Sequence, residues 1–182
     1  MLPASLRDDL RQATRAIHQQ LDDLVGSFSS LAEYRRYLVA SHAFRRAAEA
    51  VLHGAQHAGW AALSIVEAAE RDLADLGCEP RWDVPPLPVH NPSTAWQLGA
   101  HYVLEGSGIG ARLLLRRAEA LGLSAAYGAR HLAQQATDRE RWPRFLAVLD
   151  ASNADCMEAR EGAHALFSLA LAAHSEVQHE RA

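Results

Sequence analysis

Leu6, Leu10, Thr14, Ile17, Leu21 and Leu24 recur at intervals of three and four, the spacing that lines one face of an α-helix. Ser5 stands ahead of the run as an N-cap, with Asp8 three residues on, and Gly26 follows as a stop, so a first helix is expected from about residue 5 to residue 25. A second is expected from Leu31, turning Tyr34, Tyr37, Leu38, Phe44 and Val51 inward, and a third around Trp60 to Leu76, ending at Gly77. Pro80, Pro85, Pro86, Pro88 and Pro92 exclude a helix and mark one long connection. Trp82, Val84 and Leu87 within it make it a packed crossover, not a linker. Ser93 or Thr94 caps a fourth helix that continues through Leu104 to roughly Leu121. Shorter helices are expected at about 124–136, at 141–151 with Pro143 in a permitted first turn, and at 154–178. No window alternates apolar and polar residues and no repeat is visible, so the fold class is all-α, a single-domain bundle over residues 1–182.

Composition narrows the function classes. The chain has 182 residues, 49% apolar and 22% charged, enough to bury a core without staples. A net charge of -4 argues against a phosphate-binding surface, so no nucleic acid is expected; the local cluster of Arg35, Arg36, Arg45 and Arg46 reads as a solvated helix face. Cys78 and Cys156 lack the paired spacing of a disulfide framework or a thiolate metal site and read as small core residues of a reducing compartment. The start Met1-Leu2-Pro3-Ala4-Ser5 passes directly into a charged amphipathic stretch, and no apolar run reaches bilayer length; a cytoplasmic protein without a membrane segment is expected.

Two features carry chemistry. Gly106, Gly108 and Gly110 interrupt a pattern that is helical on both sides, each at a cost of about 1 kcal/mol relative to alanine. They serve either a bend or close crossing of helices, or a backbone face that lies against a planar ligand. A dinucleotide fingerprint is rejected because no strand precedes them. The second feature is His18. Arg11 lies nearly two turns before it on the same helix face, and Thr14 one turn before it. An imidazole is a suitable axial ligand for haem iron, and an arginine about 10 Å along the helix could grip a carboxylate at a porphyrin rim. Equally, a lone histidine on such a helix can be an ordinary boundary residue.

The stretch Leu10-Arg11-Gln12-Ala13-Thr14-Arg15-Ala16-Ile17-His18, followed by Leu21-Asp22, resembles the proximal-helix signature of haem oxygenases. Tyr102-Val103-Leu104-Glu105-Gly106-Ser107-Gly108-Ile109-Gly110-Ala111 resembles their distal helix, and the chain is most similar in style to the bacterial branch that includes suppliers of biliverdin to bacteriophytochromes. The resemblance implies a haem-oxygenase-like bundle with a glycine-kinked distal helix. It implies His18 as proximal iron ligand, Arg11 and Tyr102 as partners of a haem propionate, and Thr14 beside them. Gly106 and Gly110 correspond to the distal glycines packed over the haem. Ala111 stands where many members have a second glycine, and Ser107 where animal members have an acidic residue that organises water. Phe167 corresponds to an aromatic beside the porphyrin. Haem would be both cofactor and substrate, opened to biliverdin, carbon monoxide and ferrous iron with O2 and with electrons from an external reductase or ferredoxin.

Other histidines carry less. Glu161 with His164, and Glu176 with His179, have the Glu-x-x-His spacing of di-iron bundles without the four carboxylates such a site needs. His53 and His57 lack the glutamate of a zinc protease, whereas His101 adjoins the distal motif and could face a pocket or a neighbouring helix. Trp60, Trp82, Trp96 and Trp142 read as core anchors. Two rivals to the enzyme stand: a haem carrier or sensor of the same fold that leaves haem intact, and a haem-free helical scaffold.

Overall fold

A computed structural model describes residues 5–54, 60–81, 84, 87 and 89–179. Among these residues seven α-helices follow one another: α1 (Leu6–Val25), α2 (Leu31–Val51), α3 (Val66–Asp75), α4 (Thr94–Ala120), α5 (Arg130–Thr137), α6 (Arg141–Asp150) and α7 (Cys156–His179). Among the described residues there is no strand, and the isolated bridges of Ser124 with Tyr127 and Gly128 belong to a turn. The architecture is the expected all-α bundle.

Helix ends that depend on local chemistry fall where the sequence puts them. The Ser5 hydroxyl accepts the Asp8 N–H, and Gly26 terminates α1 at φ 57°, ψ -148°, a conformation that glycine tolerates. Ser30 and Ser93 cap α2 and α4 in the same way, through the N–H groups of Glu33 and Trp96. Two boundaries differ. The third helix begins at Val66, not near Trp60, because remote side chains capture the backbone of residues 61–65. Arg141 donates to the Ala61 carbonyl, Arg45 to that of Leu63 and Gln134 to that of Ser64, while Glu49 accepts the Ile65 N–H. Residues 124–129 form a turn and not the start of α5, since Gly128 takes φ 72° and the N–H groups of Arg130 and His131 are held by Asp72 of α3. Asp72 is wholly buried; burial raises its pKa, but the His131 ring and the two backbone donors outweigh this and hold the carboxyl below the ordinary aspartate range.

Helix α7 is the spine, packing most extensively on α4 and then on α1 and α2. Its crossing with α4 depends on two single glycines. A Cβ at Gly99 would lie 1.8 Å from the Ala159 carbonyl oxygen, and one at Gly162 1.9 Å from that of Trp96. Backbones so close leave no room for any side chain. Close crossing, one reading of the 106–110 cluster, is thus the work of Gly99 and Gly162. Helix α4 stays helical without interruption through 106–110, so that segment thins the helix instead of breaking it.

Arg45 departs from the expected solvated face: it is 4% exposed, with its Nε 3.0 Å from Glu49 Oε1. Cys78 and Cys156 are free and half-buried. Trp82 and His57 lie outside the described residues. No described helix is long and apolar enough to cross a membrane.

Candidate functional site

Helix α1 buries Leu6, Leu10 and Thr14, but Ile17, Leu21 and Leu24 are only half-buried, so its inward stripe opens toward its second half. His18 stands at that opening with its side chain 58% exposed. Its Nδ1 lies 2.9 Å from Asp22 Oδ2, one turn on, and its ring meets the edge of Phe167 at a centroid distance of 5.6 Å. A carboxylate only accepts, so the proton belongs on Nδ1 and the Nε2 lone pair faces outward as a ligand.

Contacts fix the register of three helices. Arg160 pairs with Asp9 and Phe167 with His18, so α7 runs parallel to α1. Tyr102 lies beside the Thr14 hydroxyl, and Arg117 donates to the Gly26 carbonyl at 3.3 Å, so α4 also runs parallel to α1. One turn beyond Thr14 is His18; one turn beyond Tyr102 is Gly106, and the next turn reaches Gly110. The glycine face of α4 is therefore level with His18. Helices α1 and α4 scarcely touch one another although both rest on α7, which makes α7 and Phe167 the floor of a groove.

The groove walls are unlike. On the α4 side, nothing lies within 4 Å of a Cβ built at Gly110, and one at Gly106 would meet only the Trp142 ring, at 3.6 Å. Ile109 and Leu113 flank this stripe and are 49% and 44% exposed, an apolar face left without a cover. At one mouth stand Arg11, Thr14 and Tyr102. Burial raises the Tyr102 pKa, opposed by the Thr14 hydrogen bond and by the charges of Arg11 and Arg7. Past Phe167, the α1–α7 seam ends in a cavity of about 220 Å³ lined by Leu24, Phe28, Arg36, Tyr37 and His174. Burial pushes the His174 pKa down to about 4, so this imidazole is neutral.

Eight of the nine residues singled out in the sequence surround or edge this groove: Arg11, Thr14, His18, Tyr102, Gly106, Ser107, Gly110 and Phe167. Thr14 is buried and donates to the Leu10 carbonyl at 2.8 Å, with Tyr102 beside it. The Ser107 hydroxyl is turned to the Leu104 carbonyl, 2.6 Å away, with Gln135 Oε1 at 3.1 Å on the α5 side. Ala111 does not face the groove: at 1% exposure it packs in the second core cluster with Leu38, Leu132 and Tyr34. Its position on the helix, one residue past Gly110, turns it through about 100° to the interior.

Sequence reading missed the pair behind the glycine wall. Glu105 is bound by Arg141 at 2.6 Å and 2.7 Å and by the Trp60 indole N–H at 3.2 Å. Trp142 lies 5.4 Å from Tyr102, ring to ring; Trp60 and Trp142 pack against the core as anchors, and the Trp60 indole N–H in addition holds Glu105. His101 is buried and faces α6, with its ring 6.4 Å from Phe145. Glu105 beside a glycine run was visible in the sequence; its partner from α6 was not.

No family model matches the chain. It is 34% identical to heme oxygenase PigA of Pseudomonas aeruginosa over 163 residues, 82% of each protein. Among solved structures it is similar to the NO- and CO-bound heme oxygenase from Neisseria meningitidis, with a TM-score of 0.78 and 27% identity over 95% of this chain and 92% of that one.

Proposed function

The chain belongs to the haem oxygenase family, and from that premise we propose the roles of its residues and its place in the cell. It is an enzyme that degrades haem to biliverdin, using O2 and electrons from a reductase. Haem supplies the iron at which O2 is taken up and the porphyrin ring that is opened.

The carrying observation is the level pairing of His18 with the side-chain-free face of Gly106 and Gly110 across a groove floored by Phe167. This donor set fits an iron porphyrin. His18 offers Nε2 to iron, and Asp22 fixes its tautomer and ring orientation. Arg11 and Tyr102 receive the propionates at the mouth, with Thr14 beside Tyr102. Gly106 and Gly110 let the ring approach the helix backbone. Phe167 sets the angle of the imidazole. Ser107, already bonded to a carbonyl and near Gln135, is at the edge of the wall, where it can hold a water that moves protons.

Residues 1–182 act as one domain in this reading. The free cysteines support a reducing cytoplasm. The electron donor is a reductase or ferredoxin, the co-products are carbon monoxide and ferrous iron, and the biliverdin passes to a bacteriophytochrome, as the likeness to the bacterial branch suggests. Mixing the protein and hemin with a chromophore-free bacteriophytochrome tests the last step; a red-absorbing photoreceptor should appear.

Hemin titration followed by ascorbate under air, with catalase present, tests the activity. The Soret band should form and then give way to a broad red bilin band. A stable Soret band would favour a carrier, and no band would leave a scaffold.

A further inference from the structure

Two consecutive residues of α6, Arg141 and Trp142, grip two consecutive residues of α4, Glu105 and Gly106. Arg141 holds the Glu105 carboxylate with two parallel hydrogen bonds, its Nε to Oε2 and its Nη2 to Oε1. The second Nη2 hydrogen reaches the Ala61 carbonyl at 2.6 Å, and the guanidinium lies 4.5 Å from the Trp60 ring centroid. The Glu105 side chain is 3% exposed. Trp142 then lies against Gly106 and the Tyr102 ring. Arg45, itself buried, adds its charge near Glu105, and it also bonds the Leu63 carbonyl.

A buried ion pair of this kind contributes little net stability, because removing both charges from water offsets their attraction. Its planar fork does fix position and direction. The position fixed here is that of α4 at Gly106, level with His18. We infer that Arg141 and Glu105 are positioning residues for the haem reaction: the pair sets the height of the glycine wall above the ring and thereby which edge of the ring is opened. Glu105 and Arg141 spend their polar atoms on each other and on the Trp60 and Ala61 segment, so the pair acts through the helix it holds. The inference rests on the haem reading of the groove.

The test uses the haem-loaded protein and variants Arg141→Lys, Glu105→Gln and the double Glu105→Gln/Arg141→Met. Three quantities are read: the C–O stretching band of the ferrous carbon monoxide complex, the ratio of biliverdin isomers, and the melting temperature without haem. Arg141→Lys and Glu105→Gln should displace the C–O band, raise the share of minor isomers and slow ring opening on the order of tenfold, the effect of losing a group that orients a site from behind. The double variant should recover melting temperature, since no unpaired charge is left buried, yet keep the displaced band and isomer ratio. Tyr34→Phe, which removes the buried bond from Tyr34 to the Gly128 carbonyl in the other core cluster, should lower the melting temperature and leave band and isomers as in wild type. Wild-type band and isomers in Arg141→Lys would overturn the inference, as would an equal displacement in Tyr34→Phe. A wild-type protein that binds no hemin would overturn the haem reading with it.

Discussion

The same substitution, glycine to alanine, should have opposite effects at two positions of this bundle. At Gly110 an added Cβ has nothing within 4 Å and the backbone is already helical, so alanine should stabilise the haem-free protein by about 1 kcal/mol through helix propensity. For a chain of this size that raises the melting temperature by about 2–4 °C. At Gly162 the Cβ would sit 1.9 Å from the Trp96 carbonyl oxygen, and a carbonyl cannot rotate away as a side chain can. Helices α4 and α7 must then separate by about an ångström or more. Overpacking of this sort costs roughly 1–3 kcal/mol or more, so even after the gain in propensity Gly162→Ala should melt several degrees lower. The functional outcome crosses the structural one. Gly110→Ala, though more stable, puts a methyl group on the face opposite His18 and should weaken hemin binding and slow ring opening, a trade of activity for stability. Thermal melts of the haem-free proteins beside hemin titrations read both effects. If Gly110→Ala melts lower than wild type, or melts higher with hemin affinity and turnover unchanged, the glycine does not belong to an open ligand wall.

Three further outcomes follow from the geometry. His174 has its pKa lowered to about 4 by burial, against an ordinary value near 6.5, so the unfolded chain binds the extra proton first; stability should be fully present above about pH 6.5 and fall by about 3 kcal/mol as pH drops to 4. His174→Phe should flatten that limb of the pH–stability curve in urea melts. Asp72→Asn keeps one acceptor oxygen but turns the other into an NH2 donor and removes the charge, so either the Arg130 N–H or the His131 N–H and ring lose their partner, and chemical denaturation should show a loss of about 3 kcal/mol. Asp22→Ala releases the His18 ring from its carboxylate and should speed haem loss to a scavenger by about tenfold, with the fold intact by circular dichroism.

What the sequence revealed was what short-range chemistry decides. Ser5, Gly26 and Ser93 set helix ends through bonds to residues three or four positions away, and each end fell as read. His18 and the glycines 106–110 were legible as a pair, and the helix register that sets them at one level is what the proposed haem site is built on. The misses have one cause, which is capture by distant groups. Residues 61–65 look helical until Arg45, Glu49, Gln134 and Arg141 take their backbone groups, and 124–129 until Asp72 caps α5 from α3. Arg45 looked solvated because its neighbours in sequence are charged, whereas its burial depends on the segment folded over it. Gly99 and Gly162 are unremarkable singly and become a crossing point only when α4 meets α7. Ala111 was placed by motif, and the turn of the helix carries it into the core.

The central claim is that His18 on α1 and the bare face of α4 hold one haem between them and direct its degradation. The most direct test is hemin titration of wild type and His18→Ala side by side, followed by ascorbate under air with catalase. The account predicts a Soret band that gives way to a bilin band in wild type, and neither a wild-type Soret band nor bilin in the variant. Equal bilin formation by His18→Ala would contradict it, because the iron would then be held elsewhere.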